Sequence, residues 1–395
     1  MSISNENEIG LIHWRGQLAV SVQGGTGMDD GKSGDGGDGA RKRARLIDVA
    51  QRANVSRATA ARALGNYGLV TKETRAKVLA AAEALNYRVN ELARSMRSGR
   101  TLTIGVVVAD ISNSFFSTSI RAIIDTAASS DYQILVLNTG DDLEAERDAI
   151  RVLVEKRVDG MVVVPSSRRH FSHLQPEEGG LSVPIVLLDR YVEGLKISSV
   201  TTDDFAASRE AVRHFVACGH RRIGLMVATA AAVGHTTKVP PDIVWTAEAR
   251  MHGGTVGLAE AGISPTHKWL RYSRGEFQHA RAAAMAILKD EPRPTAILAT
   301  NEEMAIGCIA AAREIGLEIG RDLSLILFDD PPWVSVFTPP LTVIRRPTYE
   351  LGRLAMNLLL AEINGEGASQ AAMLRTEIVH RQSVLALQGP EGDGR

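Results

Sequence analysis

From Leu102 onward the chain alternates short apolar runs with helical stretches, and that alternation restricts it to an α/β fold. The runs span residues 102–109, 132–138, 160–165, 184–188, 223–227, 295–300 and 323–328. They are rich in Val, Ile and Leu and nearly continuous, which suits strands buried on both faces of a parallel sheet. Helical candidates lie between them, at 116–129, 143–156, 205–218, 246–261, 277–289, 302–315 and 348–363. About 290 residues of this pattern exceed one such sheet, so two similar lobes are expected. In open α/β sheets, ligands sit beyond the carboxyl ends of the strands. Two lobes facing each other turn that position into a cleft.

The stretch before this body has a different character. Net charge is −1, yet residues 41–100 hold fourteen Lys or Arg against four Asp or Glu. That segment is +10 and the remainder −11. A small basic head on an acidic body is the pattern of a DNA-binding module joined to something that must not stick to DNA. A solvated charged face is the plainer explanation, but the charge coincides with a motif. Leu46, Val49, Ala50 and Ala53 fall on one helical face. Asn54-Val55-Ser56 then makes a turn, with Ser56 as an N-cap. Residues 57–64 form a second short helix, and small Ala50, Ala53 and Ala60 let the two cross closely. Helix, short turn and capped helix is the arrangement that places a second helix in the DNA major groove. Arg57 comes first after the cap, where it can read guanine; Arg62 is a second candidate, and Ser56 and Thr59 can hold phosphates. A third helix over 72–85 is expected to brace the pair through Val78, Leu79, Ala82 and Leu85. An Ala-rich helical pair is by itself a weak signal.

Longer stretches carry a resemblance. Leu46-Ile-Asp-Val-Ala-Gln-Arg-Ala-Asn-Val-Ser-Arg-Ala-Thr-Ala-Ala-Arg-Ala-Leu64, Val70-Thr-Lys-Glu-Thr-Arg-Ala-Lys-Val-Leu79, Asn90-Glu-Leu-Ala-Arg-Ser-Met96 and Asp110-Ile-Ser-Asn-Ser-Phe-Phe116 follow in order. Leu188-Asp-Arg190, Gly219-His-Arg-Arg-Ile-Gly224, Asn301, Phe328-Asp-Asp330 and Thr338-Pro-Pro-Leu-Thr342 continue it. Together, over roughly 45–385, they resemble the lactose/galactose repressor (LacI/GalR) family of transcription regulators. The resemblance implies a helix-turn-helix head, a hinge helix and a two-lobed body like periplasmic sugar-binding proteins. The Gly- and Asp-rich composition of 24–39 reads as a flexible tail over 1–44, and the resemblance implies a head at 45–89 and a hinge at 90–101. The first lobe takes 102–202 and 346–366, the second 203–345 and 372–389. It also implies a homodimer on a pseudo-palindromic operator, held by Ser56, Arg57, Ala58, Thr59, Arg62 and, from the hinge, Asn90 and Met96. Met96 stands where the family has a leucine that wedges into the minor groove.

The same resemblance implies a small, sugar-like effector whose binding changes lobe closure and so controls the hinge. Candidate effector residues sit at strand ends: Asp110, Phe115, Phe116, Asp189, Arg190, Asn301 and Asp329. Arg250 matches a family effector contact, and Phe277 matches an aromatic platform. Each strand-end Asp could equally cap a helix or make a turn, and Phe115 and Phe116 could be lobe core. The chain departs from the family in places. Ala228-Thr-Ala replaces a usual Gly-Pro, the stretch to Arg250 is about ten residues longer, Glu302 replaces an Asp and Asp204 an Asn.

Other classes are disfavoured. No apolar run reaches the roughly 18 residues of a membrane span, and the N-terminal stretch has no apolar signal core. Cys218 and Cys308 give neither a disulfide framework nor zinc spacing, so a cytoplasmic protein without metal or cofactor is expected. No P-loop, GxGxxG after a strand, GxSxG or HExxH appears, so the chain does not read as an enzyme. His220 precedes a strand and reads as structural. The alternative is a transport-type sugar-binding protein, which would share the body and lack the basic head.

Overall fold

The computed structural model describes residues 44–65, 67–87, 99–175, 183–230, 234–264, 267–366 and 369–387. The chain divides into two compact units, with the boundary between residues 89 and 90.

The first unit is three helices: α1 (Leu46–Arg52), α2 (Arg57–Leu64) and α3 (Lys72–Ala84). Asn54 sits just past α1 in the left-handed region, at φ 51°, a conformation asparagine tolerates. There the Val55 amide donates to the Ala50 carbonyl and the Asn54 amide to the Gln51 carbonyl, closing the helix end. The turn is thereby tight enough for α2 to start two residues later. Ser56 caps α2, its hydroxyl accepting from the Thr59 amide at 3.0 Å. Val49, Ala50, Ala60, Ala63, Val78, Ala81 and Ala82 form the shared core. Leu79 departs from expectation, being half exposed while Ala81 is buried. Positions 78, 81, 82 and 85 share one helical face, and 79 lies about 100° away from 78 on the wheel.

The second unit holds two sheets. The first, all parallel, runs in the order β12-β5-β4-β3-β1-β2. Its strands are β1 (Thr103–Val108), β2 (Gln133–Asn138), β3 (Gly160–Val163), β4 (Ile185–Leu188), β5 (Ser198–Thr202) and β12 (Ala371–Leu374). The second runs β13-β11-β10-β9-β6-β8-β7, with antiparallel strands at both edges. It comprises β6 (Ile223–Ala228), β7 (His235–Thr236), β8 (Leu270–Ser273), β9 (Ala296–Ala299), β10 (Ser324–Phe328), β11 (Thr342–Arg345) and β13 (Glu377–Val379). Helices α4 (Ser114–Ala128), α5 (Leu143–Glu155) and α11 (Thr348–Ile363) cover the first sheet. Helices α6 (Asp204–Ala217), α7 (Trp245–Glu260), α8 (Phe277–Leu288), α9 (Glu302–Glu314) and the short α10 (Pro332–Val336) belong with the second.

All seven apolar runs are strands, but two expectations need correction. β2 is not buried on both faces: it is an edge strand, and Leu135 and Val136 are each 40% exposed. Residues 372–374 do not belong to the second lobe, because β12 pairs in parallel with β5 of the first sheet. The last crossing between lobes therefore falls between Leu374 and Glu377. The earlier crossings follow β5 and β11. His220 is buried, linking Thr295 Oγ1 (2.9 Å), Ser324 Oγ (2.9 Å) and the Leu385 carbonyl (3.0 Å). It fastens the C-terminal segment to the second sheet.

Candidate functional site

Two sites emerge, one in each unit. On the head, Ser56, Arg57, Ala58 and Arg62 are exposed on α2 and its cap, with Thr59 partly covered. Ser56 and Thr59 share a hydroxyl hydrogen bond at 2.9 Å, and Arg62 Nη2 reaches Thr59 Oγ1 at 3.4 Å. Arg57 has no ion pair or hydrogen-bond partner among the described residues, so its guanidinium is open to a ligand. Asn90 and Met96 lie outside the described residues.

In the second unit a cavity of about 700 Å³ opens between the carboxyl ends of the two sheets. All nine expected effector residues line it. Asp110, Phe115, Phe116, Asp189 and Arg190 come from the first lobe, and Arg250, Phe277, Asn301 and Asp329 from the second. Topology explains the convergence. Asp110 follows β1, Asp189 follows β4, Asn301 follows β9 and Asp329 follows β10, each at a carboxyl end. Asp189 and Asp329 occupy equivalent places in the two sheets, and both have left-handed backbone, at φ 67° and 75°. That turn ends the strand and directs each carboxylate into the cleft. The alternative roles hold alongside. Asn301 caps α9, accepting from the Met304 amide at 3.0 Å. Asp110 makes a turn with Ser112, and Phe115 and Phe116 also belong to the core of the first lobe.

The centre of the cleft is a buried ion network that the sequence reading missed. Arg346, immediately after β11, binds Asp329 with two nitrogens, at 2.7 and 2.8 Å. Its third nitrogen reaches Asp189 at 2.7 Å, and its face lies 3.6 Å from the Phe115 ring centroid. Burial pulls the Arg346 pKa down, but the carboxylates of Asp329 and Asp189 outweigh it and hold the charge firmly. Burial pushes the Asp189 carboxyl upward, against the pull of Arg346. Arg250 pairs with Asp204 at 2.7 Å, donates to the Thr300 carbonyl at 2.5 Å and stacks 4.2 Å over Phe328. Arg190 pairs with Asp141 and donates to the Pro165 carbonyl at 3.0 Å.

Further contacts close the rim. Ser114 donates to Glu302 at 2.6 Å and Asn113 Nδ2 to Glu303 at 3.0 Å, joining the N-termini of α4 and α9. On the other side Ser167 donates to Asp242 at 2.8 Å, and Arg168 pairs with Glu248. Asp242 lies in the long stretch before Arg250, so that extra length reaches across the cleft. Arg346 had one available signal: it lies two residues past the mostly apolar run 341–344, which reads as a strand and puts it at a carboxyl end.

Residues 45–90 match the model for bacterial regulatory proteins of the lacI family, and residues 212–384 match that of a periplasmic binding protein-like domain. The HTH-type transcriptional repressor CytR of Escherichia coli (strain K12) is 33% identical over 87% of this chain and 97% of its own length. Catabolite control protein A of Priestia megaterium is 31% identical over 86% of this chain and 98% of its own. Among solved structures, the lac repressor dimer bound to operator and the anti-inducer ONPF superposes with a TM-score of 0.75. It is 27% identical and covers 87% of this chain and all of that one. The matched head sets aside a transport-type binding protein, and CytR is by name a transcriptional repressor. The chain belongs to the lacI family of bacterial regulatory proteins and is a DNA-binding transcription repressor of that family.

Proposed function

We propose that this repressor binds a pseudo-palindromic operator as a homodimer and that a small polar, sugar-like effector in the cleft controls its affinity for DNA. The carrying observation is the 700 Å³ cavity, lined from both lobes by carboxylates, amides, guanidinium groups and the half-exposed Phe277. Its size falls within the range of small-molecule sites, and its chemistry suits hydroxyl groups with one aromatic face for a ring. A ligand that touches both lobes favours one degree of closure over another by its differential contacts. Through segment 90–101, with Met96 as the minor-groove wedge, closure sets whether two heads can engage their half-sites together. Arg57 reads a base edge, while Ser56, Thr59 and Arg62 hold the backbone. The structural relative is itself a dimer on operator with an anti-inducer.

The test is binding of the full chain to a pseudo-palindromic duplex chosen from a random pool, followed by fluorescence anisotropy. The logarithm of affinity is expected to fall with the logarithm of salt with a slope of several units. Arg57→Ala is expected to weaken the selected duplex about tenfold or more and to leave random DNA nearly unchanged, as loss of a base contact worth roughly 1–3 kcal/mol requires. A flat salt response, or equal loss on both duplexes, refutes the DNA-contact assignment.

A further inference from the structure

The cleft carries a charge arrangement that restricts what can enter it. Each arginine lining it is already matched inside the protein. Arg346 holds Asp189 and Asp329, Arg250 holds Asp204, Arg190 holds Asp141, and Arg274 holds Glu276. At the pairs of Arg346, Arg250 and Arg190, an anionic ligand has to draw a guanidinium away from its partner and strand a carboxylate shielded from water, which is strongly unfavourable; the Arg274–Glu276 pair is exposed at the rim, where its charge is screened by water. Arg346 is the least available of the four. Its side chain is 3% exposed, three of its nitrogens are engaged and one face covers Phe115. A single residue thus spans the gap between a carboxylate of each lobe, a position that a bridging ligand would otherwise fill.

What remains open has the opposite character. Asp110 and Glu303 line the cavity without a cationic partner among the described residues. Asp110 spends one carboxylate oxygen on its own turn with Ser112. Glu303 accepts from Asn113 with one oxygen, while the other is buried without a donor. Phe277, at 44% exposure, offers the open ring face. We propose that Arg346 determines the specificity of the cleft. By satisfying Asp189 and Asp329 internally, it confines the effector to an uncharged, hydroxyl- or amide-bearing ligand that donates to Asp110 and Glu303 and stacks on Phe277. Phosphorylated and carboxylate ligands are excluded. This rests on the effector reading given above.

Thermal shift of the full chain tests it, with ribose, glucose, cytidine and adenosine as uncharged probes. Ribose 5-phosphate, glucose 6-phosphate, the two nucleoside monophosphates and glucuronate are the anionic set, and glucosamine is the cationic probe. At least one uncharged probe is expected to raise the melting temperature. Its anionic counterpart is expected to need at least a hundredfold higher concentration for the same shift. In Arg346→Gln two uncompensated carboxylates face the cavity, so the preference for glucosamine over glucose is expected to rise at least tenfold above that of the unaltered chain. A merely structural arginine lowers the melting temperature and leaves that preference unchanged, which overturns the role of Arg346. Arg346→Lys keeps the charge but cannot span both carboxylates; it is expected to move the preference the same way by less, and it serves if the glutamine variant does not fold. An anionic probe that binds as tightly as its parent overturns the proposal and leaves the effector reading standing. A panel that shifts neither the unaltered chain nor the variants overturns the effector reading, and the proposal with it.

Discussion

Asp329 gives both its oxygens to Arg346, so Asp329→Ala leaves that guanidinium buried with only Asp189 beside it. Breaking a buried pair in this way costs about 3–5 kcal/mol. Urea denaturation is expected to show that loss, whereas an unchanged midpoint would mean water solvates Arg346. Glu303 behaves differently. Burial holds its carboxyl above the ordinary range, with Glu302 and Asp110 adding to the rise and the Asn113 hydrogen bond opposing it. A raised native pKa favours the folded state below the unfolded value and loses that contribution as pH rises through the native value. Glu303→Gln, which has no charge to bury, is expected to melt higher than the unaltered chain at neutral pH. The gap should shrink as pH falls toward 4.5, the ordinary value. A constant gap across pH would show that Glu303 is solvated. At this scale the sequence was most legible where a polar residue directly follows an apolar run, as Asp110, Asp189, Asn301 and Asp329 do. Arg346 escaped because its strand was not assigned, and Asp141 and Asp204 because ion pairs across 49 and 46 residues leave no local pattern.

Helix α7 crosses α6 at Gly253, where an added Cβ would lie 2.1 Å from the Phe205 carbonyl oxygen. Backbone stands against backbone there, and no side chain can swing aside. Gly253→Ala is expected to destabilise the body by about 3 kcal/mol, at the upper end for overpacking, while the head keeps its helical signal in circular dichroism. Destabilisation below about 1 kcal/mol would mean the helices can separate freely. Elements with apolar, continuous strands or long amphipathic helices were readable to within two residues in most cases. β5 was not, since it reads Ser-Ser-Val-Thr-Thr and yet is buried throughout. Ser198 donates to Glu362, 164 residues away, and Thr202 to Asp204, itself held by Arg250 from another helix, and no local property of the sequence announces those distant partners. The edge strands β12 and β13 are short and half exposed, so the hydrophobic pattern that marks central strands is missing.

For the molecule as a whole, the exposed apolar residues Ile124 on α4 and Val136 on β2 lie on the same side of the first sheet and mark a face suited to a second copy of the chain. On the homodimer proposed above, Val136→Lys is expected to shift light scattering from dimer to monomer and to weaken operator binding at least a hundredfold, because one head must then hold one half-site alone. An intact dimer would place the interface elsewhere. The two-lobed plan was legible from the length of the alternating region, since its helices and strands outnumber what one sheet holds. The final crossing was misplaced because residues 371–374 carry no signal for which sheet they join. That crossing bears on how the protein is made. β12 completes the first sheet and β13 the second, so the first lobe lacks an outer strand until residue 374 has been synthesised and the second until residue 379. The DNA reader ends at Ala84 and can fold some 300 residues sooner. At about 5–20 residues per second, that is a lead of roughly 15–60 s. Each newborn chain thus carries a finished reader on the ribosome before its controller exists, and a stop codon just ahead of residue 371 would cripple both halves of the clamp at once while sparing the reader.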